Sequence, residues 1–156
     1  MSQPNQFSTT TEAETASLAR RVAAQIDPGD ILLLAGPVGA GKSVFARSLI
    51  QHLLGATDDV PSPTFTLVQR YETASRSIVH ADLYRLKNSL ELEETGLLDE
   101  PDETILVIEW PELLPAFFRQ TALSITITPD GPLRRICFSS TDQSWLGRMS
   151  EIADGP

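Results

Sequence analysis

The residues whose types and spacing could do chemistry begin at residues 36–43, which read Gly-Pro-Val-Gly-Ala-Gly-Lys-Ser. A glycine, four free positions and then Gly-Lys-Ser form the pattern of a phosphate-binding loop. Glycines allow the backbone to curl around an anion with its N–H groups pointing inward. Lys42 would reach the β- and γ-phosphates of a nucleotide, and the Ser43 hydroxyl would take one position around Mg²⁺. The chain has only one other lysine, Lys87, so the lysine at position 42 is informative.

Hydrolysis of a bound nucleotide also needs acidic groups, because Mg²⁺ must be held and a water must be aligned with the γ-phosphate. Glu109 follows the apolar run 105–108, and a buried strand there would deliver its carboxylate to the loop. Asp82 also follows an apolar stretch and is a rival for either role. Thr64, within Ser-Pro-Thr-Phe-Thr, could offer a hydroxyl to Mg²⁺ or the γ-phosphate, as a switch loop does. His80 reads as a strand histidine rather than a base.

The elements that must position these residues follow from the hydrophobic pattern. Residues 31–34 are four consecutive apolar residues, which predicts a buried strand running into the loop. Residues 42–54 repeat apolar side chains every four positions and are followed by Gly55, which predicts a helix whose positive end adds to the anion site. The strand, loop and helix that a phosphate-binding loop requires are therefore all predicted.

The flanking segments predict the rest of an α/β domain. Thr11 and Glu14 have the spacing of a capping box at the start of a first helix. Residues 3–10 could form a short strand or a loose arm. Residues 64–70 and 77–81 predict a β-hairpin, so the sheet should be mixed rather than wholly parallel.

Composition limits the classes of function that remain. At 156 residues the chain should form a single domain over 1–156, with 1–8 and 154–156 as loose termini. Its net charge of −9 argues against independent binding to nucleic acid, and an acidic surface would better suit a basic protein partner. A single cysteine, no apolar run near 20 residues and no signal-peptide pattern predict a cytoplasmic protein without a membrane anchor.

Four segments together resemble one family. They are the loop at 36–43, Ser-Pro-Thr-Phe-Thr-Leu-Val at 62–68, His-Ala-Asp-Leu-Tyr-Arg-Leu at 80–86 and Ile-Glu-Trp-Pro-Glu at 108–112. Their order and spacing are similar to those of TsaE (also called YjeE), a family of small bacterial ATPases required for N6-threonylcarbamoyladenosine in tRNA. The resemblance covers about residues 11–138 and implies a P-loop NTPase-like three-layer α/β sandwich with a mixed, mostly parallel sheet.

The resemblance also implies partners and cofactors. ATP or ADP and Mg²⁺ would bind, and hydrolysis would reset a heterodimer of TsaD and TsaB between cycles of modification at adenosine 37. The tRNA would be reached only through that complex, and the isolated chain would be monomeric. The residues that the resemblance implies for nucleotide and Mg²⁺ are Thr11, Gly36, Gly39, Ala40, Gly41, Lys42, Ser43, Val44, Thr64, Asp82, Glu109, Trp110 and Arg134.

This sequence departs from the family pattern at three positions. Ser43 replaces the usual threonine and keeps the hydroxyl, whereas Pro37 stands where an acidic residue is common. Ala81 replaces phenylalanine, which removes packing beside Asp82. Two other functions stay open: a nucleotide-gated binding module with incidental hydrolysis, and a small-metabolite kinase. The kinase would need an arginine-bearing lid and an acceptor pocket, and the sequence indicates neither.

Overall fold

Within the residues that the structure describes (5–55, 60 and 66–155), seven strands form one mixed sheet. The structure is a computed structural model. The strands are β1 (Gln6–Thr9), β2 (Ile31–Ala35), β3 (Val68–Glu72), β4 (Ser77–Asp82), β5 (Ile105–Glu109), β6 (Leu123–Asp130) and β7 (Leu133–Ser139). They lie in the order β1-β7-β6-β2-β5-β4-β3. Five of these described strands point in one direction, whereas β7 and β3 are reversed.

Helices cover both faces of this sheet: α1 (Glu12–Ala23), α2 (Lys42–Leu54), α3 (Ser89–Glu94), α4 (Ala116–Thr121) and α5 (Gln143–Asp154). Strand β2 shows why, because its successive apolar side chains point to opposite faces. Leu32 and Leu34 join the core beneath α1, α2 and α5, and Leu33 joins the core beneath α3 and α4. The predicted three-layer α/β sandwich is confirmed. None of the described helices has both the length and the apolar character that a membrane span needs.

The edges of the sheet are antiparallel. Strands β3 and β4 form the predicted hairpin, with Val68 opposite Ala81. The first strand begins at Val68 and not at residue 66 or 67, and residues 64 and 65 lie outside the described residues. At the other edge, β1 pairs with β7, and the ring of Phe7 lies 5.1 Å from that of Phe138. Residues 6–8 therefore belong to the sheet instead of forming a loose terminus, because they gain both ladder hydrogen bonds and an aromatic contact. Helix α5 likewise continues through Asp154.

Candidate functional site

The glycine-rich loop lies at the carboxyl end of β2, between that strand and α2. Its entry requires glycine for a steric reason. Gly36 has φ +140°, and a Cβ built there would lie 2.1 Å from the backbone oxygen of Ile127 on β6. Gly41 at the exit has φ +109° and precedes the first residue of α2. The loop thus reverses tightly against the neighbouring strand and presents the helix N-terminus to the cavity, where backbone N–H groups attract anions.

Lys42 is folded back into this loop. Its Nζ donates hydrogen bonds to the backbone oxygens of Gly36 at 2.5 Å and Pro37 at 2.8 Å, and lies 4.2 Å from the centroid of the Trp110 ring. Burial lowers the pKa of Lys42, and the negative charges of nearby carboxylates, Glu109 foremost, oppose that shift. The ammonium group is therefore already largely removed from water at the place where a phosphate would sit. Phosphate oxygens could replace the two carbonyls as its acceptors.

Two carboxylates meet at the ends of neighbouring parallel strands. Glu109 ends β5 and is 1% exposed; Asp82 ends β4, is 4% exposed, and lies opposite Glu109 in the strand register. Ser43 Oγ donates to Glu109 Oε1 at 3.3 Å, and His80 Nε2 lies 2.7 Å from Glu109 Oε2. Asp82 Oδ1 accepts the backbone N–H of Tyr84 at 3.0 Å. The two rival carboxylates thus share one site, but only Glu109 contacts the serine of the loop among the hydrogen bonds of the described residues.

The oxygen atoms at this site suit Mg²⁺ bound together with a nucleotide. Ser43 and Glu109 offer a hydroxyl and a carboxylate, which are hard oxygen ligands. Within the described residues, no group of three or more His, Cys, Asp or Glu side chains could enclose a metal ion. Mg²⁺ usually takes one or two protein ligands and completes its shell with waters and substrate phosphates. The donor set therefore fits Mg²⁺ held jointly with phosphate better than a metal held by protein alone.

A cavity of about 560 Å³ extends from the loop to the start of α1 and the β6–β7 turn. Two predicted loop residues are absent from its described lining. Gly36 is instead packed against the backbone of Ile127, and Ala40 is fully buried with its N–H bonded to the Pro37 backbone oxygen at 3.2 Å, so both contribute to the shape of the loop. Thr64 lies outside the described residues. The predicted residues that line the cavity are Thr11, Gly39, Gly41, Lys42, Ser43, Val44, Asp82, Glu109, Trp110 and Arg134.

The far end of this cavity is built on the first turn of α1. Thr11 Oγ1 accepts the backbone N–H of Glu14 at 3.1 Å, which confirms its role as N-cap. The reciprocal contact of Glu14 goes to Thr10 instead, because Oε2 accepts both the backbone N–H at 2.6 Å and the hydroxyl at 3.0 Å. Arg134 faces this end from β7, where it lies opposite Thr9. Arg134 is thus on the side away from the two carboxylates.

Comparison with known proteins gives this geometry a family. A sequence profile described as "Threonylcarbamoyl adenosine biosynthesis protein TsaE" matches residues 9–136. The chain belongs to the TsaE family. It is 36% identical over 133 residues to a Rickettsia felis protein named tRNA threonylcarbamoyladenosine biosynthesis protein TsaE, covering 85% of this chain and 78% of that one. A Bacillus subtilis protein of the same name is 35% identical over 143 residues, covering 90% and 88%.

Solved structures agree with this family assignment. The structure of Bacillus subtilis YdiB superimposes with a TM-score of 0.76 at 28% identity, over 95% of this chain and 93% of that one. The predicted P-loop NTPase-like fold is therefore confirmed for this TsaE-family chain.

Among the side chains at the TsaE-family site that the sequence does not indicate are His80 and Tyr84. The sequence predicts a strand histidine at position 80, and His80 does lie in β4, but its contact with Glu109 is not predicted. The ring of Tyr84, a residue that is 56% exposed, packs against the Trp110 ring at a tilt of 50° with the ring centroids 4.7 Å apart. Trp110 itself has φ +58°. The alternation of His80 and Asp82 along one strand would have placed both on one face. Neither the Tyr84–Trp110 contact nor the left-handed backbone at a tryptophan has a signal in the sequence.

Proposed function

We propose that this chain is a Mg²⁺-dependent ATPase that supports formation of threonylcarbamoyladenosine at position 37 of tRNA. The observation that carries the proposal is the meeting of Lys42, Ser43, Asp82 and Glu109 at one end of a single cavity. Family membership supplies the biosynthetic context, since the relatives are named for tRNA threonylcarbamoyladenosine biosynthesis.

The loop would bind the nucleotide by exchanging acceptors. Lys42 would turn from the backbone oxygens of Gly36 and Pro37 to the β- and γ-phosphates, a short movement for an ammonium already at the site. Backbone N–H groups at the start of α2 would add their partial positive charge. These fixed positive groups would stabilise the negative charge that develops on the γ-phosphate during hydrolysis.

We assign different tasks to the two carboxylates. Glu109 and Ser43 would hold Mg²⁺, directly or through water, because Glu109 Oε1 already faces the serine hydroxyl. When bound, Mg²⁺ neutralises phosphate charge. Asp82, on the next strand, would orient the attacking water. The backbone N–H of Tyr84 donates a hydrogen bond to Asp82 Oδ1, and Asp82 lines the same cavity.

The proposed partners are TsaD and TsaB, with hydrolysis resetting their complex. The net charge of −9 supports a division of labour in which other subunits grip the tRNA. Arg134 lies on the α1 side of the cavity and is not suited to act as an arginine finger on the γ-phosphate. We therefore propose slow hydrolysis by a monomeric chain, stimulation by the partner complex, and a cytoplasmic site of action, where tRNA is modified.

The test uses the only two lysines as a matched pair. Lys42→Ala should lower ATP and ADP affinity at least tenfold in calorimetry and abolish hydrolysis, whereas Lys87→Ala, at an exposed site outside the cavity, should change neither. In cells depleted of the protein, wild type and Lys87→Ala should restore threonylcarbamoyladenosine in tRNA, and Lys42→Ala should not. Nucleotide binding that is unaffected by Lys42→Ala would refute the proposal.

The partner assignment has its own test. Adding the purified TsaB–TsaD complex should raise the hydrolysis rate of the wild-type chain. If the isolated chain already hydrolyses ATP at its full rate and the complex adds nothing, the resetting role is wrong while nucleotide binding stands.

A further inference from the structure

His80 is a buried polar side chain that the proposed hydrolysis does not use directly. It lies on β4, two residues before Asp82, and is 1% exposed. The cavity lining does not include it. The alternation along β4 places His80 and Asp82 on the same sheet face, beneath α2. His80 is therefore buried in the core next to the cavity, two residues before the Asp82 carboxylate on the same strand.

The contact between His80 and Glu109 shows which nitrogen of the imidazole ring donates the hydrogen bond. Because a carboxylate oxygen can only accept, Nε2 must carry the proton in the 2.7 Å hydrogen bond to Glu109 Oε2. Nδ1 is buried and has no hydrogen-bond partner among the described residues. The geometry therefore makes Nε2 the hydrogen-bond donor to Glu109.

We propose that His80 is a positioning residue that fixes the orientation of the Glu109 carboxylate, so that one of its oxygens faces the Mg²⁺ site. By holding Oε2, it leaves Oε1 directed at the Ser43 hydroxyl. The terminal torsion of a glutamate is otherwise broad, so without this donor the carboxylate could rotate away from the serine. This inference rests on the proposed function of Glu109 and Ser43 as the groups that hold the metal. Partners of metal-binding groups commonly change metal affinity by about 10–100-fold when they are removed.

Two substitutions separate positioning from packing. His80→Gln keeps an N–H donor near the position of Nε2, and His80→Leu removes the donor but fills the space. Ile78→Ala serves as the matched control, because Ile78 is fully buried on the same strand and face and lies opposite Ile105, four residues along β5 from Glu109. It should lower stability without moving the carboxylate.

The readout is the affinity of the protein–ADP complex for Mn²⁺, followed by electron paramagnetic resonance. His80→Leu should weaken Mn²⁺ binding about tenfold or more while metal-free ADP affinity stays within about twofold of wild type. His80→Gln and Ile78→Ala should both stay near the wild-type Mn²⁺ affinity. Wild-type Mn²⁺ affinity in His80→Leu, or equal losses in His80→Leu and Ile78→Ala, would overturn the proposal.

A second measurement needs no variant and no nucleotide. In ¹⁵N-labelled wild-type protein at neutral pH, the Nε2 nitrogen of His80 should carry a proton that is hydrogen-bonded to Glu109. A ring with no proton on Nε2 would contradict the assignment even if His80→Leu fails to fold. Since this reading is made on nucleotide-free protein, its failure is distinguishable from a failure of ATP binding to depend on Lys42.

Discussion

The two halves of the sheet handle charge in opposite ways. In the parallel half (β2, β5 and β4), all five residues of β5 are buried, and the strand ends in the buried carboxylate of Glu109 beside His80. In the antiparallel half (β1, β7 and β6), the Arg135–Asp130 ion pair, at 2.5 Å, is about half exposed on both sides. Burying charge is costly unless it is paired, whereas exposed pairs contribute little.

This difference indicates where function is located. A buried carboxylate at the end of a parallel strand lowers stability unless neighbouring groups satisfy it, so its presence beside the glycine-rich loop points to chemistry. The half-exposed ion pair of the β6–β7 hairpin needs no such explanation. The parallel half should therefore control turnover, and the antiparallel half should mainly control shape.

The largest expected effect is on turnover. Glu109→Gln should lower the rate of ATP hydrolysis by about 10²-fold or more while ADP binding persists, because the loop and Lys42 remain. Arg135→Gln, which removes the exposed ion pair of the antiparallel half, should change the rate by less than about twofold. Single-turnover assays and calorimetry measure both quantities.

The same variant separates an ATPase from a nucleotide-gated module. If Glu109→Gln binds TsaB–TsaD but fails to support threonylcarbamoyladenosine formation in cells, hydrolysis is required. Full modification without turnover would favour the module in which hydrolysis is incidental.

Stability should differ between the two halves in the same sense. Leu34→Ala should lower the free energy of unfolding by about 2–5 kcal/mol, because Leu34 is fully buried in β2. Phe7→Ala should lower the free energy of unfolding by only roughly 1–2 kcal/mol, because Phe7 is half-buried in edge strand β1 and its ring loses only part of its contact with water on folding. Urea unfolding monitored by circular dichroism would test this, and equal costs would contradict the comparison.

A smaller loss of stability is expected from removing the contact between α5 and the turn before β2. Arg148 Nη1 donates to Asp30 Oδ2 at 2.5 Å and to the Gln25 backbone oxygen at 3.0 Å, and its guanidinium lies 3.6 Å from the Trp145 ring centroid. Arg148→Met keeps most of the stem and should cost roughly 1–2 kcal/mol. Hydrolysis should be unchanged. A loss of activity at full folding would mean that α5 influences the site.

The smallest effect concerns pH at the start of α1. Hydrogen bonds from the Thr10 backbone and hydroxyl lower the pKa of Glu14 below its usual 4.5. A carboxylate with a lowered folded-state pKa stabilises the fold above its unfolded pKa, and that contribution is lost as pH falls through the folded value. The stability difference between wild type and Glu14→Gln should therefore shrink below about pH 4. Thermal unfolding at a series of pH values measures it, and a difference that grows in acid would be the wrong sign.

Local patterns were sufficient for most of the fold and for the loop. The four apolar residues of β2, the helix after Lys42 and the cap at Thr11 each depend on neighbours in sequence, and all three are found. The strand at residues 6–9 was not decided by its mostly polar sequence, because its pairing partner β7 lies more than 120 residues away. Thr64 stays a prediction, since it lies outside the described residues.

The site was predictable residue by residue but not as a network. Lys42, Ser43 and Glu109 follow from motif spacing, and they meet as expected. The hydrogen bond from His80 spans 29 residues and two strands, so it exists only once β4 and β5 pair in register. Likewise, Trp110 takes its left-handed backbone where its N–H reaches Leu34 on the adjacent strand. Both features depend on the pairing of strands that are distant in sequence, so local sequence patterns do not predict them.

The close approach of Gly36 to Ile127 has a consequence for anyone redesigning this protein. Because the first glycine of the loop packs directly against the backbone of β6, the β6–β7 hairpin supports the anion-binding loop as well as joining edge strand β1 to the rest of the sheet. A chimera that imported this hairpin from a relative would have to reproduce the path of the Ile127 carbonyl, or the graft would deform the anion-binding loop even with the loop's own motif intact.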